Sequence, residues 1–175
     1  MTLPPTPAQT VGPFFGLALT APDGHLVAPA GHPETLTVHG RVHDGAGEPV
    51  PDALLEFWQP APDGGRTGAP GSLRRDGTAF TGFGRAATDA DGHYTLRTLP
   101  PGGVPYLSVC LFARGLLHHL FTRVYLTACQ EDDPLLSALP PERRRTLRTV
   151  PEGGGTHRFD IHLQGEKETA FLAFD

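Results

Sequence analysis

Residues 38 to 59 read VHGRVHDGAGEPVPDALLEFWQ, and the fold is decided on them. Leu36 to His43 and Ala53 to Gln59 are strand-like, and Asp44-Gly45-Ala46-Gly47 between them supplies the positive-φ positions of a tight reversal. The unit is strand, turn, strand. Outward from it, Asp63-Gly64-Gly65 marks another turn, and residues 66 to 79 form a loop of mixed charge without periodicity, a candidate for ligand or partner contact. Thr81 to Ala87 reads as a strand, Asp89-Ala90-Asp91-Gly92 as a turn, and His93 to Leu99 as an alternating strand stopped by Pro100-Pro101-Gly102-Gly103. Tyr106 to Ala113 is a nearly continuous apolar run suited to a central strand, Arg114-Gly115 breaks it, and Leu117 to Leu126 returns beside it. Pro134 to Leu139 and Pro141 to Arg148 look like short helices, the second with a proline in its first turn and Glu142 near its positive end. Arg158 to Leu163 is the last strand.

About eight short strands punctuated by turns make a mostly β architecture, a β-sandwich with short helices before the last strand. Residues 1 to 33, rich in proline and glycine with one apolar island at Phe14 to Leu19, read as an extended N-terminal arm, and residues 34 to 175 as a single sandwich domain. A chain of 175 residues with 38% hydrophobic content, 22 Gly and 19 Pro is one ordinary domain too punctuated for long helices. The net charge of −5, without a basic block larger than Arg143-Arg144-Arg145, argues against nucleic acid. Cys110 and Cys129 are too few for a disulfide framework, so reduced thiols are expected. No stretch approaches the ~20 apolar residues of a membrane span and no leader pattern opens the chain, so a cytoplasmic protein is expected.

Nine histidines invite a metal hypothesis, and local geometry opposes it. His39 and His43 on one strand face lie roughly 13 Å apart at about 3.3 Å per residue, too far for one ion. His118 and His119 point to opposite faces, as do His157 and His162 if their strand is regular, while His25, His32 and His93 read as surface or hydrogen-bonded side chains. Only a composite site drawn from distant strands stays open. Nucleophilic catalysis has no Gly-x-Ser-x-Gly to support it, Glu131-Asp132-Asp133 reads as a solvated loop, and Gly153-Gly154-Gly155 lacks the ending of a phosphate loop.

Gly40-Arg41-Val42-His43-Asp44-Gly45-Ala46-Gly47-Glu48-Pro49-Val50 leading into Leu55-Glu56-Phe57-Trp58-Gln59 resembles the signature of the intradiol ring-cleavage dioxygenases. The arm from Thr6 to Phe14, the segment Phe83 to Thr88 and the ending Arg158 to Glu166 extend the resemblance over nearly the whole chain. Catalytic members bind ferric iron through two tyrosines and two histidines, the histidines spaced His-x-His so that both leave one strand face about 6.6 Å apart. By the resemblance, that pair aligns here with Tyr106 and Ser108, and one tyrosine position aligns with Thr67 after Gly64-Gly65-Arg66. The second tyrosine belongs to a loop shortened to Pro100-Pro101-Gly102-Gly103, Gly103 stands where an arginine is expected, and Arg123 replaces a neutral glutamine near the metal. A fixed cation there would repel ferric iron.

The resemblance therefore implies an iron-free chain whose ferric ion is held by a homologous partner, with no metal and no catalytic residue of its own. Thr10, Gly12 and Pro13 of the arm would line the partner's substrate cleft, and Arg114 would attract a substrate carboxylate across the interface. The implied activity is cleavage of 3,4-dihydroxybenzoate by O2 in a symmetric hetero-oligomer, with no nucleic-acid or membrane partner. A transthyretin-like binding or structural module is the alternative from another class. An autonomous dioxygenase with relocated ligands is a third reading, which needs the composite site.

Overall fold

The structure is a computed structural model that describes residues 12, 15–66, 75–126 and 133–174. Among these, nine strands form two sheets around a shared core. In the first sheet β1 (Leu36–His43) is central. It pairs antiparallel with β4 (His93–Thr98) and in parallel with β8 (Thr156–Arg158) and β9 (Ile161–His162), while β7 (Val150–Gly153) forms the edge against β8. The second sheet is antiparallel throughout, in the order β3 (Phe83–Ala87), β2 (Leu54–Trp58), β5 (Tyr106–Phe112), β6 (Leu120–Tyr125).

Period-2 patterning explains the packing. Val38, Val42, Tyr94 and Leu96 of the first sheet meet Leu55, Phe57, Leu107, Val109, Leu111 and Val124 of the second in one cluster. The buried Tyr94 hydroxyl donates to Phe159 O at 2.6 Å, which satisfies the polar atom that would otherwise make this burial costly. Gly40 is required for a related reason: a Cβ there would sit 1.9 Å from the same Phe159 carbonyl oxygen. At this crossing the single strand expected over Arg158 to Leu163 divides into β8 and β9, because β1 exchanges one parallel partner for the other.

Two elements depart from the sequence reading. The apolar island in the arm forms one helical turn, α1 (Phe15–Ala18), with Phe15 buried, so this piece of the arm is not extended. β7 has all four residues exposed and carries no alternating pattern to announce it. It is held as a hairpin to β8, with Gly153, Gly154 and Gly155 all at positive φ in and beside the turn. Further along the arm, Val27 N donates to Arg97 O at 2.7 Å and the Val27 side chain enters the core, tying this part of residues 1 to 33 to the sandwich.

Helices α2 (Pro134–Ala138) and α3 (Pro141–Arg145) precede β7 as expected, though each is shorter than its sequence pattern. Leu136 of α2 joins Leu147 and Ala170 in a small second cluster against Tyr125, to which α3 contributes no buried residue. No helix among the described residues is long and apolar enough to cross a membrane.

Candidate functional site

Register on the second sheet assembles the site. Phe83, Trp58, Ser108 and Arg123 form one cross-strand row, and Arg85, Glu56, Cys110 and Phe121 form the next. The burial pattern of β5 alternates, with Leu107, Val109 and Leu111 buried and Tyr106, Ser108, Cys110 and Phe112 half-buried on the outer face. Thus the near-continuous apolar run is a central strand with only one face in the core.

Arg123 dominates the middle of this surface. Its guanidinium lies over the Tyr106 ring at 3.9 Å from the centroid, and its Nη1 donates to the Tyr125 hydroxyl at 3.2 Å. Tyr125 in turn donates to Asp133 Oδ1 at 2.9 Å, and Asp133 Oδ2 lies 3.6 Å from Arg123. Burial works against the Arg123 charge, but the Tyr125 hydroxyl, Tyr106 and Asp133 outweigh it and raise its pKa above the ordinary arginine value. Burial pushes the Tyr125 phenol up to about 12, and the Asp133 carboxylate adds to the shift. The cation is therefore permanent and clamped from three sides.

Beside it opens a cavity of about 300 Å³ lined by Trp58, Pro60, Arg66, Val104, Tyr106 and Ser108, among others. The shortened loop before β5 forms part of its frame: Gly102 N donates to Ala61 O at 3.1 Å, and a Cβ on Gly102 would stand 2.1 Å from Pro62 O. Only glycine allows the two loops to close on one another there. Thr67, the other expected ligand position, lies outside the described residues. What remains does not fit ferric iron, because the described residues of the cavity lining offer one phenol and hydroxyls but no imidazole, beside a fixed guanidinium. Among the described residues no group of three or more His, Cys, Asp or Glu is placed to hold a metal ion.

The expected substrate-facing residues lie elsewhere. Arg114 is in the turn beyond the opposite end of β5, roughly 20 Å along the strand from Ser108 at about 3.4 Å per residue. Its side chain is 63% exposed and its Nε donates to Asp52 Oδ2. Gly12 is exposed, with nothing within 4 Å of a Cβ placed on it, and Thr10 and Pro13 lie outside the described residues.

Two histidine pairs escaped the sequence reading because they form across strands. His39 Nδ1 lies 3.2 Å from His93 Nε2, and its Nε2 lies 2.8 Å from Glu152; His43 stacks on His162 at 4.8 Å. The parallel β1–β9 register that joins the second pair leaves no local signal in a sequence. Cys110 faces the Arg85–Glu56 ion pair, and burial, with the Glu56 charge, pushes its thiol up to about 11, which disfavours the nucleophilic thiolate.

Residues 12–119 match the family model described as Dioxygenase. The dioxygenase domain of a carbohydrate-binding fusion from Streptomyces sp. SirexAA-E superposes with a TM-score of 0.59 at 28% identity, covering 95% of this chain and 100% of that one. The chain belongs to the intradiol ring-cleavage dioxygenase family. Within it, similarity is to the protocatechuate 3,4-dioxygenase alpha chain of Pseudomonas putida, 38% identical over 98% of both chains. The beta chain of that enzyme from Burkholderia cepacia is 31% identical over 78% of this chain and 67% of that one.

Proposed function

We propose that this chain is the iron-free alpha subunit of a protocatechuate 3,4-dioxygenase, assembled with a homologous beta chain that holds ferric iron. The observation that carries this reading is the outer face of the second sheet, where Tyr106, Ser108 and the clamped Arg123 stand in place of a ligand set. The alpha-chain likeness over 98% of the chain supports it. The reaction is ring cleavage of protocatechuate, which is 3,4-dihydroxybenzoate. Both atoms of O2 enter the ring as the bond between the two hydroxylated carbons breaks, giving 3-carboxy-cis,cis-muconate. The iron supplies the oxygen chemistry on the partner chain.

This chain's part is to complete the cavity and orient the substrate. Thr10, Gly12 and Pro13 line the cleft of the partner, and Arg114 attracts the substrate carboxylate. With Nε engaged by Asp52, the two terminal nitrogens of Arg114 are left to form a bidentate pair, in keeping with its exposure. The assembly is a symmetric hetero-oligomer in the cytoplasm, in keeping with only two cysteines in the chain.

One preparation tests the proposal. The chain expressed alone is expected to be colourless and inactive, while co-expression with the homologous beta chain gives a reddish complex that consumes protocatechuate and O2. Stoichiometric ferric iron on the lone chain would overturn the reading. Failure of the two chains to associate would overturn it in favour of a free-standing binding module.

A further inference from the structure

We propose that the cavity beside Trp58 and Tyr106 binds a small aromatic carboxylate, held by ring contacts and charge without any metal. This inference stands on the chain's own geometry and does not depend on the partner assigned above. The cavity volume of about 300 Å³ sits at the lower bound of ligand pockets, ~300–1,000 Å³, and suits a single ring.

Its walls and its charge define the ligand. Trp58 is 50% exposed although it lies within a central strand; its ring packs against Phe83 at 4.4 Å and also borders the cavity. Tyr106 supplies a second aromatic wall, with the Arg123 guanidinium over its ring. No carboxylate is among the described lining residues, and Arg66 contributes a guanidinium at the rim. The position of Arg66 is built rather than accidental: it leaves the turn closed by Ala61 N to Gly65 O at 2.9 Å, and that turn is locked to Gly102.

Hydrogen-bond accounting points the same way. Gln59 is fully committed, its Nε2 donating to Leu99 O at 2.8 Å and its Oε1 accepting from Thr98 at 2.6 Å. Thr81 donates to Phe83 O at 3.1 Å. The Trp58 indole N–H and the Tyr106 hydroxyl of the walls have no hydrogen-bond partner among the described residues, and neither do two further polar groups of the lining, Arg66 and the half-buried Ser108 hydroxyl. A ring-borne carboxylate meets both needs, pairing with the guanidinium and accepting from Ser108, while its ring contacts Trp58 and Tyr106. A neutral aromatic would forgo the pairing with Arg66, and an aliphatic acid would forgo the aromatic walls.

Trp58 is the single tryptophan of the chain, so its fluorescence reports directly from the cavity wall. Titrating the full chain with benzoate is expected to give a saturable change, and Arg66→Ala, an exposed loop substitution, should bind about tenfold more weakly. Benzyl alcohol should lose a similar factor against the parent chain. The same series followed by saturation-transfer NMR of the ligand removes dependence on Trp58 brightness. No saturable binding of benzoate by either method would overturn the proposal, and so would an Arg66→Ala variant that binds benzoate as tightly as the parent. Because the titration uses this chain alone, its failure leaves the proposed partnership standing, and failure of the chains to assemble leaves the cavity standing.

Discussion

Arg114 is held by Asp52 on one side and open to solvent on the other, a geometry that orients a guanidinium without using it up. If it serves the substrate carboxylate, its loss must distinguish substrates that carry that group from those that do not. In the assembled enzyme, Arg114→Ala should raise KM for protocatechuate at least tenfold, the scale of one charge-assisted hydrogen bond, and leave KM for catechol nearly unchanged. Steady-state kinetics on both substrates decide it, and equal effects would remove Arg114 from the pocket. At this scale the sequence was informative about identity and silent about partners. Tyr106, Ser108 and Arg123 could be named from alignment to the family motif, whereas the Arg123–Tyr125–Asp133 clamp joins strand to helix through side chains that no spacing rule connects.

Asp133 shows how such a side chain organises an element. Its Oδ1 accepts from Leu135 N at 2.9 Å and Leu136 N at 3.2 Å as the N-cap of α2, and from the Tyr125 hydroxyl at 2.9 Å. A helix of five residues cannot nucleate on its own propensity, so its position depends on this cap and on the buried Leu136. Asp133→Ala removes the cap, leaves a buried phenol without its acceptor and frees Arg123, for an expected loss of about 2–4 kcal/mol. Asp133→Asn retains the Oδ1 acceptor and should recover a good part of it. Denaturant titration of the two variants measures the difference; equal stability of Asp133→Ala and the parent would show that α2 is held by Leu136 alone. Strands with β-branched or aromatic alternation were readable to within a few residues, as at β1, β4 and β5. β7 was not, because an exposed edge strand of sequence Val-Pro-Glu-Gly gains its structure from β8 rather than from its own pattern.

Across the whole molecule the sandwich class was legible but its topology was not, since β1 finds β8 and β9 more than a hundred residues away in parallel register. What those long-range contacts bury sets how stability responds to pH. Burial lowers the pKa of His157 and His162 below the usual 6.5, so the folded chain resists protonation that the unfolded chain accepts. Their contribution is present above pH 6.5 and is lost as pH falls through the lowered values. On the alkaline side the sign reverses. Cys110 rises from 9.0 to about 11 and Tyr125 from 10.0 to about 12, so both stay protonated in the folded chain after the unfolded chain has begun to ionise. The stability they contribute is complete below the unfolded values and disappears between pH 9 and 11 for Cys110 and between 10 and 12 for Tyr125. The lone chain should therefore show a plateau from about pH 6.5 to 9 with decline on either side. Cys110→Ala removes the earlier alkaline group, so the onset of the decline should move from about pH 9 to about pH 10 while the acid limb stays in place. Thermal melts of parent and variant across this range test it: an unchanged alkaline onset in Cys110→Ala would mean that the thiol titrates alike in both states, and that the outer face of β5 admits water as far as Cys110.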